Sequence, residues 1–215
     1  MSLNEGRGRC PGTARLVIRP VQAVIELGAG PDVLSRTLNA VHHANRRGPA
    51  EDFIAVALPQ MRMGRNCMLP GHEIELIGSK ISLMTLLGLE GIVLLKRRGM
   101  LADTEIEEAD VEPGMPGAAY VRDRAGEKRT PGWIRRSQAR AARRGKPVGK
   151  PVKARGNDLS ILALHYDRAV VHVRAQAGKV GDAPIMVGTY GFSQASEPAV
   201  LPVIADLFQE AFDAA

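Results

Sequence analysis

The sequence predicts an α+β fold, and three observations predict it. Short apolar runs of strand length alternate with amphipathic segments of helical period, each bounded by glycine or proline. Their order in the first half is strand, helix, strand, strand, helix. A segment at 122–155 then interrupts the pattern with a dense run of arginine and lysine.

Taken in order, residues 1–12 carry Gly, Pro and charge throughout and read as a flexible leader. Residues 21–27 (VQAVIEL) read as a strand, with 14–19 part of it or paired beside it. After the break at 28–31, Pro31 and Asp32 suit the first turn of a helix reaching about Arg46. Leu34, Leu38, Val41 and Asn45 share one face of that helix. Residues 53–58 (FIAVAL), closed by Pro59, have the composition of a buried strand. A loop with Arg62, Arg65 and Asn66 leads to a further strand at 72–77. Ser79 suits the cap of a helix at 80–87, and 89–96 continues as a second short helix. One more strand, within 104–111 or 118–121, completes a βαββαβ order over 13–115, which is the ferredoxin-like pattern. The acidic, Pro/Gly-marked stretch at 99–117 reads as the join to a smaller α+β region at 116–215. That region offers strands at 159–164, 169–174 and 185–190, and a small terminal helix within 199–215.

Composition narrows the function classes. Two cysteines, Cys10 and Cys67, cannot build a zinc knuckle or a disulfide framework and read as free thiols. No run has the length and apolarity of a membrane span, and the first 30 residues lack signal-peptide order, so a cytoplasmic protein is expected. The net charge of +6 is an average over two unlike parts. Residues 122–155 hold 13 Lys/Arg against two acids, while the remaining chain is net −5. An acidic body with one strongly basic insert points to a polyanion partner.

Within the insert, Pro131 opens a helix over about 131–144 (PGWIRRSQARAARR), and Gly145 and Pro147 stop it. At about 100° per residue, Arg135, Arg136, Arg140, Arg143 and Arg144 fall on one half of the helix, away from Ile134 and Ala141. Clustered guanidinium groups repel each other, and phosphates lining a groove would satisfy them. A solvated charged face and docking on an acidic protein are the alternatives. Arg122, Arg124, Lys128 and Arg129 precede the helix, and Lys146, Lys150, Lys153 and Arg155 follow it in a Gly/Pro-rich linker that can track a backbone.

No HExxH or HxxxH spacing, no GxxxxGK[ST] loop and no GxGxxG motif is present, so neither a metal nor a nucleotide cofactor is expected. RNA can be cut without either, when a base such as His deprotonates a 2′-hydroxyl that attacks the adjacent phosphate. His42 and His43 are consecutive on a helix and diverge by about 100°, so one of them at most serves a given site. His165 is a further candidate, while His72 and His172 read as structural. Tyr190-Gly191-Phe192-Ser193 closes a strand and offers an aromatic ring and a hydroxyl to a ribose–phosphate.

The first helix, the FIAVALP strand, the arginine-rich helix and the terminal YGFSQASEPAVLPVI together resemble the CRISPR repeat-processing endoribonucleases of the type I-F class and their type IV and transposon-associated relatives. Tyr190, Gly191, Phe192 and Ser193 stand in register with the family's Tyr-Gly-Leu-Ser, and Val200, Leu201 and Pro202 follow. The resemblance covers roughly residues 21–204 and is specific at the C-terminal string and the arm. It implies a ferredoxin-like domain with an arm whose helix lies in the major groove of the repeat hairpin. It also implies metal-independent cleavage at the 3′ base of the hairpin, leaving a 2′,3′-cyclic phosphate. The product would stay bound in a multi-protein guide-RNA effector complex. The family's helix histidine falls on His42 or His43, and its active-site tyrosine on Tyr190. Its serine falls at 164–166, where no serine stands and His165 does, and its Gly-Gly turn is Ala195-Ser196 here. The alternatives for the same arm are a non-catalytic hairpin-binding subunit and a ribosome-associated or duplex-DNA module.

Overall fold

The computed structural model describes residues 6–109, 111–127, 131–145, 159–166 and 169–202. The first half runs β1 (Arg7–Cys10), β2 (Ala14–Ile18), α1 (Gln22–Glu26), α2 (Gly30–Arg47) and β3 (Ala55–Ala57). A small hairpin of β4 (Arg62–Met63) and β5 (Met68–Leu69) leads to β6 (Ile74–Gly78), α3 (Lys80–Leu87), α4 (Glu90–Arg97) and β7 (Ile106–Glu108). Four of these strands form an antiparallel sheet in the order β3-β6-β2-β7. The additional strand expected in one of two places is therefore 106–108.

Local chemistry explains most of these elements. β2 buries Ala14, Leu16 and Ile18 and turns Arg15 out to Glu107, the alternation a half-buried strand requires. In α2, Pro31 and Asp32 open the helix and Arg46 and Arg47 close it, each charge matched to its end of the dipole. Its core face is Val33, Thr37, Leu38, Val41 and Asn45. Ser79 caps α3 in a reciprocal box with Ser82.

Residues 21–27 are not a strand. Residues 22–26 form α1, of which only Val24 is buried, and Leu27 is 83% exposed. Beyond β2 the pairing shrinks to a single antiparallel bridge between Pro20 and Leu101, with Val21 N–H donating to the Met100 carbonyl, and both edges of β2 are already taken by β6 and β7. The β-branched residues therefore had no sheet to join, and strand preference is context more than backbone.

The second half comprises β8 (Pro116–Arg122), α5 (Arg124–Glu127), α6 (Pro131–Arg143), β9 (Leu162–Tyr166), β10 (Ala169–Lys179), β11 (Ile185–Gly188), β12 (Ser193–Gln194) and β13 (Val200–Pro202). A five-stranded sheet runs β12-β8-β10-β9, with β13 also on β8. Residues 118–121 thus belong to this sheet rather than to the first. The expected terminal helix is corrected at 200–202, where Val200 and Leu201 pair with Ala119 and Ala118 as a strand. Gly117 leaves room for that approach, since a Cβ there would stand 2.1 Å from the Leu201 carbonyl oxygen. Residues 203–215 lie outside the described residues.

The leader reading is corrected too. Residues 7–10 are β1, paired antiparallel with β11, and Arg9 exchanges further backbone bonds with Ala50 and Phe53. With ladder partners on both sides, the segment is a strand despite its polar composition. Cys10 at its end is 2% exposed, and burial raises its thiol pKa to about 11; Cys67 is exposed, and both are free. One hydrophobic cluster spans both halves, joining Leu16, Val56 and Leu76 to Tyr120, Leu164 and Phe192. No helix among the described residues is long and apolar enough to cross a membrane.

Candidate functional site

α2 ends against β3, and the turn following β11 closes over both. Gly191 makes that closure possible. It adopts φ +81°, and a Cβ there would stand 2.4 Å from Val56 Cγ2. Val56 N–H donates to the Gly191 carbonyl at 2.9 Å, so the turn is fastened to the edge of β3. Asn45, 1% exposed, fastens it from the helix side. Its amide donates to the Ile54 and Thr189 carbonyls at 2.9 and 3.3 Å and accepts from Ile54 N–H at 2.8 Å.

Held this way, Tyr190 stacks on His42, with ring centroids 4.2 Å apart and planes 18° from parallel. The Arg122 guanidinium carbon lies 4.5 Å from the centre of the same tyrosine ring. Of the two consecutive histidines, only His42 meets Tyr190. His43 is exposed on a different side of α2, in a depression of about 380 Å³ with Arg36, Asn39 and Arg47. His165 is exposed on β9, whose buried residues are Leu162 and Leu164. β9 is the outer strand of its sheet. His72 is exposed, and its backbone N–H donates to Gln60 Oε1 at 2.9 Å. His172 packs at the root of the arm, where its N–H lies 3.4 Å from Glu127 Oε1.

Electrostatics favour the neutral imidazole at His42. Burial disfavours the imidazolium first, and Arg46, Arg122 and His43 add to that, while a backbone hydrogen bond with Thr189 opposes them; the net direction is down. A neutral imidazole near pH 7 is a proton acceptor, which is the form a general base needs. Beside it opens a cleft of about 310 Å³ whose lining includes Arg122, Arg124, Arg174, Gln176, Tyr190 and Gln194. Two of those arginines are committed to carboxylates, Arg122 to Glu127 through two contacts at 2.8 and 2.9 Å and Arg174 to Asp123 at 3.3 Å. Arg122 therefore serves as a wall of the site more than as an unengaged cation. Arg124 is exposed at its mouth.

Ser193 lines the same cleft; it is 2% exposed, and its hydroxyl donates to the Tyr120 carbonyl at 3.1 Å, which stitches β12 to β8.

The arginine helix follows its sequence closely. α6 buries no residue, and Arg135, Arg136, Arg140, Arg143 and Arg144 are all exposed, while Ile134, Ser137 and Ala141 form the more sheltered stripe. Gly145, at φ +61°, provides the expected stop. Among the described residues none of these five arginines joins an ion pair; Arg140 and Arg143 fold back onto the carbonyls of Arg136 and Ala139. Lys128, Arg129, Lys146, Lys150, Lys153 and Arg155 lie outside the described residues.

Sequence reasoning missed the second layer: Thr189 and Asn45 as fasteners, and Glu127 and Asp123 as partners of the cleft arginines. Asn45 carried one usable signal, a polar residue in register with the apolar face of α2. Among the described residues no group of three or more His, Cys, Asp or Glu is placed to hold a metal ion. Neither protein-family models nor curated proteins give a match to this chain.

Proposed function

We propose that this protein is a metal-independent endoribonuclease that binds a CRISPR repeat hairpin and cuts at its 3′ base. The observation that carries the proposal is the stacking of His42 on Tyr190, a contact between the first helix and the YGFS string. These are the two segments on which the family's histidine and tyrosine fall. Support for the fold comes from strand order: β2, β3, β6 and β7 pair as 2-3-1-4 in their sequence order, with helices crossing between them, as a ferredoxin-like βαββαβ domain requires. Support for the partner comes from the five exposed arginines of α6 and its end.

In the proposed reaction, neutral His42 takes the proton of the 2′-hydroxyl at the cleavage site. The 2′-oxygen attacks the adjacent phosphorus, the bond to the 5′-oxygen breaks, and that oxygen leaves with a proton from solvent. The products are a 2′,3′-cyclic phosphate and a 5′-hydroxyl. Tyr190 orients the imidazole, Arg122 walls the cleft, and Arg124 stabilises charge gathering on the phosphate. The product hairpin then remains on the arginine helix as part of a cytoplasmic effector complex.

One observation favours a second reading, a hairpin-binding subunit without cleavage. No serine stands at 164–166, the segment on which the family's serine falls. The two readings separate on the chain's own repeat RNA in EDTA, with and without a deoxyribose at the cleavage position. Cutting of the all-ribose RNA alone, with a cyclic-phosphate end, is expected. Equal cutting of both RNAs removes the 2′-hydroxyl mechanism, and tight binding with no cutting supports the second reading.

A further inference from the structure

A buried amide ties the candidate site together. Asn45 lies nearly one helical turn after His42, so both side chains leave α2 on neighbouring parts of one face. Asparagine gains nothing from helix propensity at such a position, and a buried amide is tolerated only when its donors and acceptors are matched. Here the partners are backbone groups of two other segments, Ile54 N–H and carbonyl at β3 and the Thr189 carbonyl in the turn. Thr189 is the residue before Tyr190, and its backbone also engages His42. On the far side, Gly191 is fastened to Val56. Tyr190 is thus suspended between two anchored backbone points.

We infer that Asn45 is the positioning residue of this site: by holding the Thr189 carbonyl it sets Tyr190 against His42. The inference rests on reading His42 and Tyr190 as the reactive pair, and its first test needs no RNA. Asn45 acts through the Ile54 and Thr189 backbone. An apolar residue of similar size would fill the same volume without fixing the turn, which is what separates positioning from packing.

The test uses the full chain, with the His42 ring protons followed by NMR and assigned by their absence in His42→Ala. Stacking on Tyr190 shifts them upfield in the wild type. In Asn45→Ala and the apolar, similarly sized Asn45→Leu, with fold checked by amide dispersion, that upfield shift collapses. The His42 titration, set in the wild type by burial and by Arg46, Arg122 and His43, moves up as water reaches the ring. Single-turnover cleavage falls about 10- to 100-fold, as for a reacting group displaced by an ångström, with hairpin affinity unchanged. A folded variant that keeps the wild-type shift and titration overturns the inference. Should neither variant fold, the side-chain amide protons of wild-type Asn45 decide it: slow exchange supports the clamp, and exchange as fast as an exposed amide overturns it. A wild type that leaves the RNA whole ends the nuclease reading, and the spectra still decide the role of Asn45.

Discussion

The seam between His42 and Tyr190 is partly buried and assembled from α2, β3 and the turn after β11, segments far apart in sequence. The arginine surface of α6 is contiguous in sequence, exposed, and makes no ion pair among the described residues. The first is held by backbone fasteners, and the second lies on a helix that buries no residue. That contrast suits two tasks. Proton transfer needs sub-ångström placement of a few atoms, whereas attraction to phosphate falls off slowly with distance and tolerates adjustment. A rigid site and an adaptable arm can therefore share one chain.

The sharpest way to break the comparison is to remove the seam and keep the arm. His42→Ala is expected to lower single-turnover cleavage by about 10²- to 10⁴-fold, the range for a general base, with hairpin affinity retained. His43→Ala, whose ring lies in a separate depression, leaves cleavage as it is. Equal losses in both would erase the distinction between the two histidines. The pH profile carries the same information. Burial and neighbouring cations disfavour protonated His42, so the base form persists below the ordinary 6.5 and the rate falls only as pH drops through that lowered value. A rate that is still rising well above 6.5 would contradict His42 as the base.

The converse experiment removes the arm and keeps the seam. Arg136, Arg140 and Arg143 changed together to Gln should weaken hairpin binding about 10- to 100-fold and flatten the salt dependence by roughly three units of slope. Thermal stability should hold, because these side chains are exposed and support no packing. Unchanged affinity would mean that the hairpin is bound elsewhere. The smallest expected effect is at Ser193. Ser193→Ala removes one buried hydrogen bond to Tyr120 and should cost about 1 kcal/mol of unfolding free energy with no change in RNA affinity. A selective loss of binding would return Ser193 to the interface.

How much of this was legible in advance differs between elements for identifiable reasons. α2, α3 and α6 carry their boundaries in local chemistry: Pro31 and Asp32, the Ser79 cap, Pro131 and Gly145. α1 was misread because VQAVIEL has strand composition but no free sheet edge beside β2. β1 was missed because RGRC has no apolar pattern, and its strand character comes from β11, distant in sequence. Asn45 sat visibly on the core face of α2, but nothing local disclosed that its partners are Ile54 and Thr189.

The sequence by itself therefore determined the α+β class, the charge segregation and the arginine face, since propensity, capping and helical period act over a few residues. Only the tertiary structure stacked Tyr190 on His42 rather than on His43, bonded the Ser193 hydroxyl to Tyr120 and tied Asn45 to the carbonyl of Thr189. Those outcomes depend on which distant backbone groups arrive within hydrogen-bond reach, and that is a property of the packed chain rather than of any segment in it.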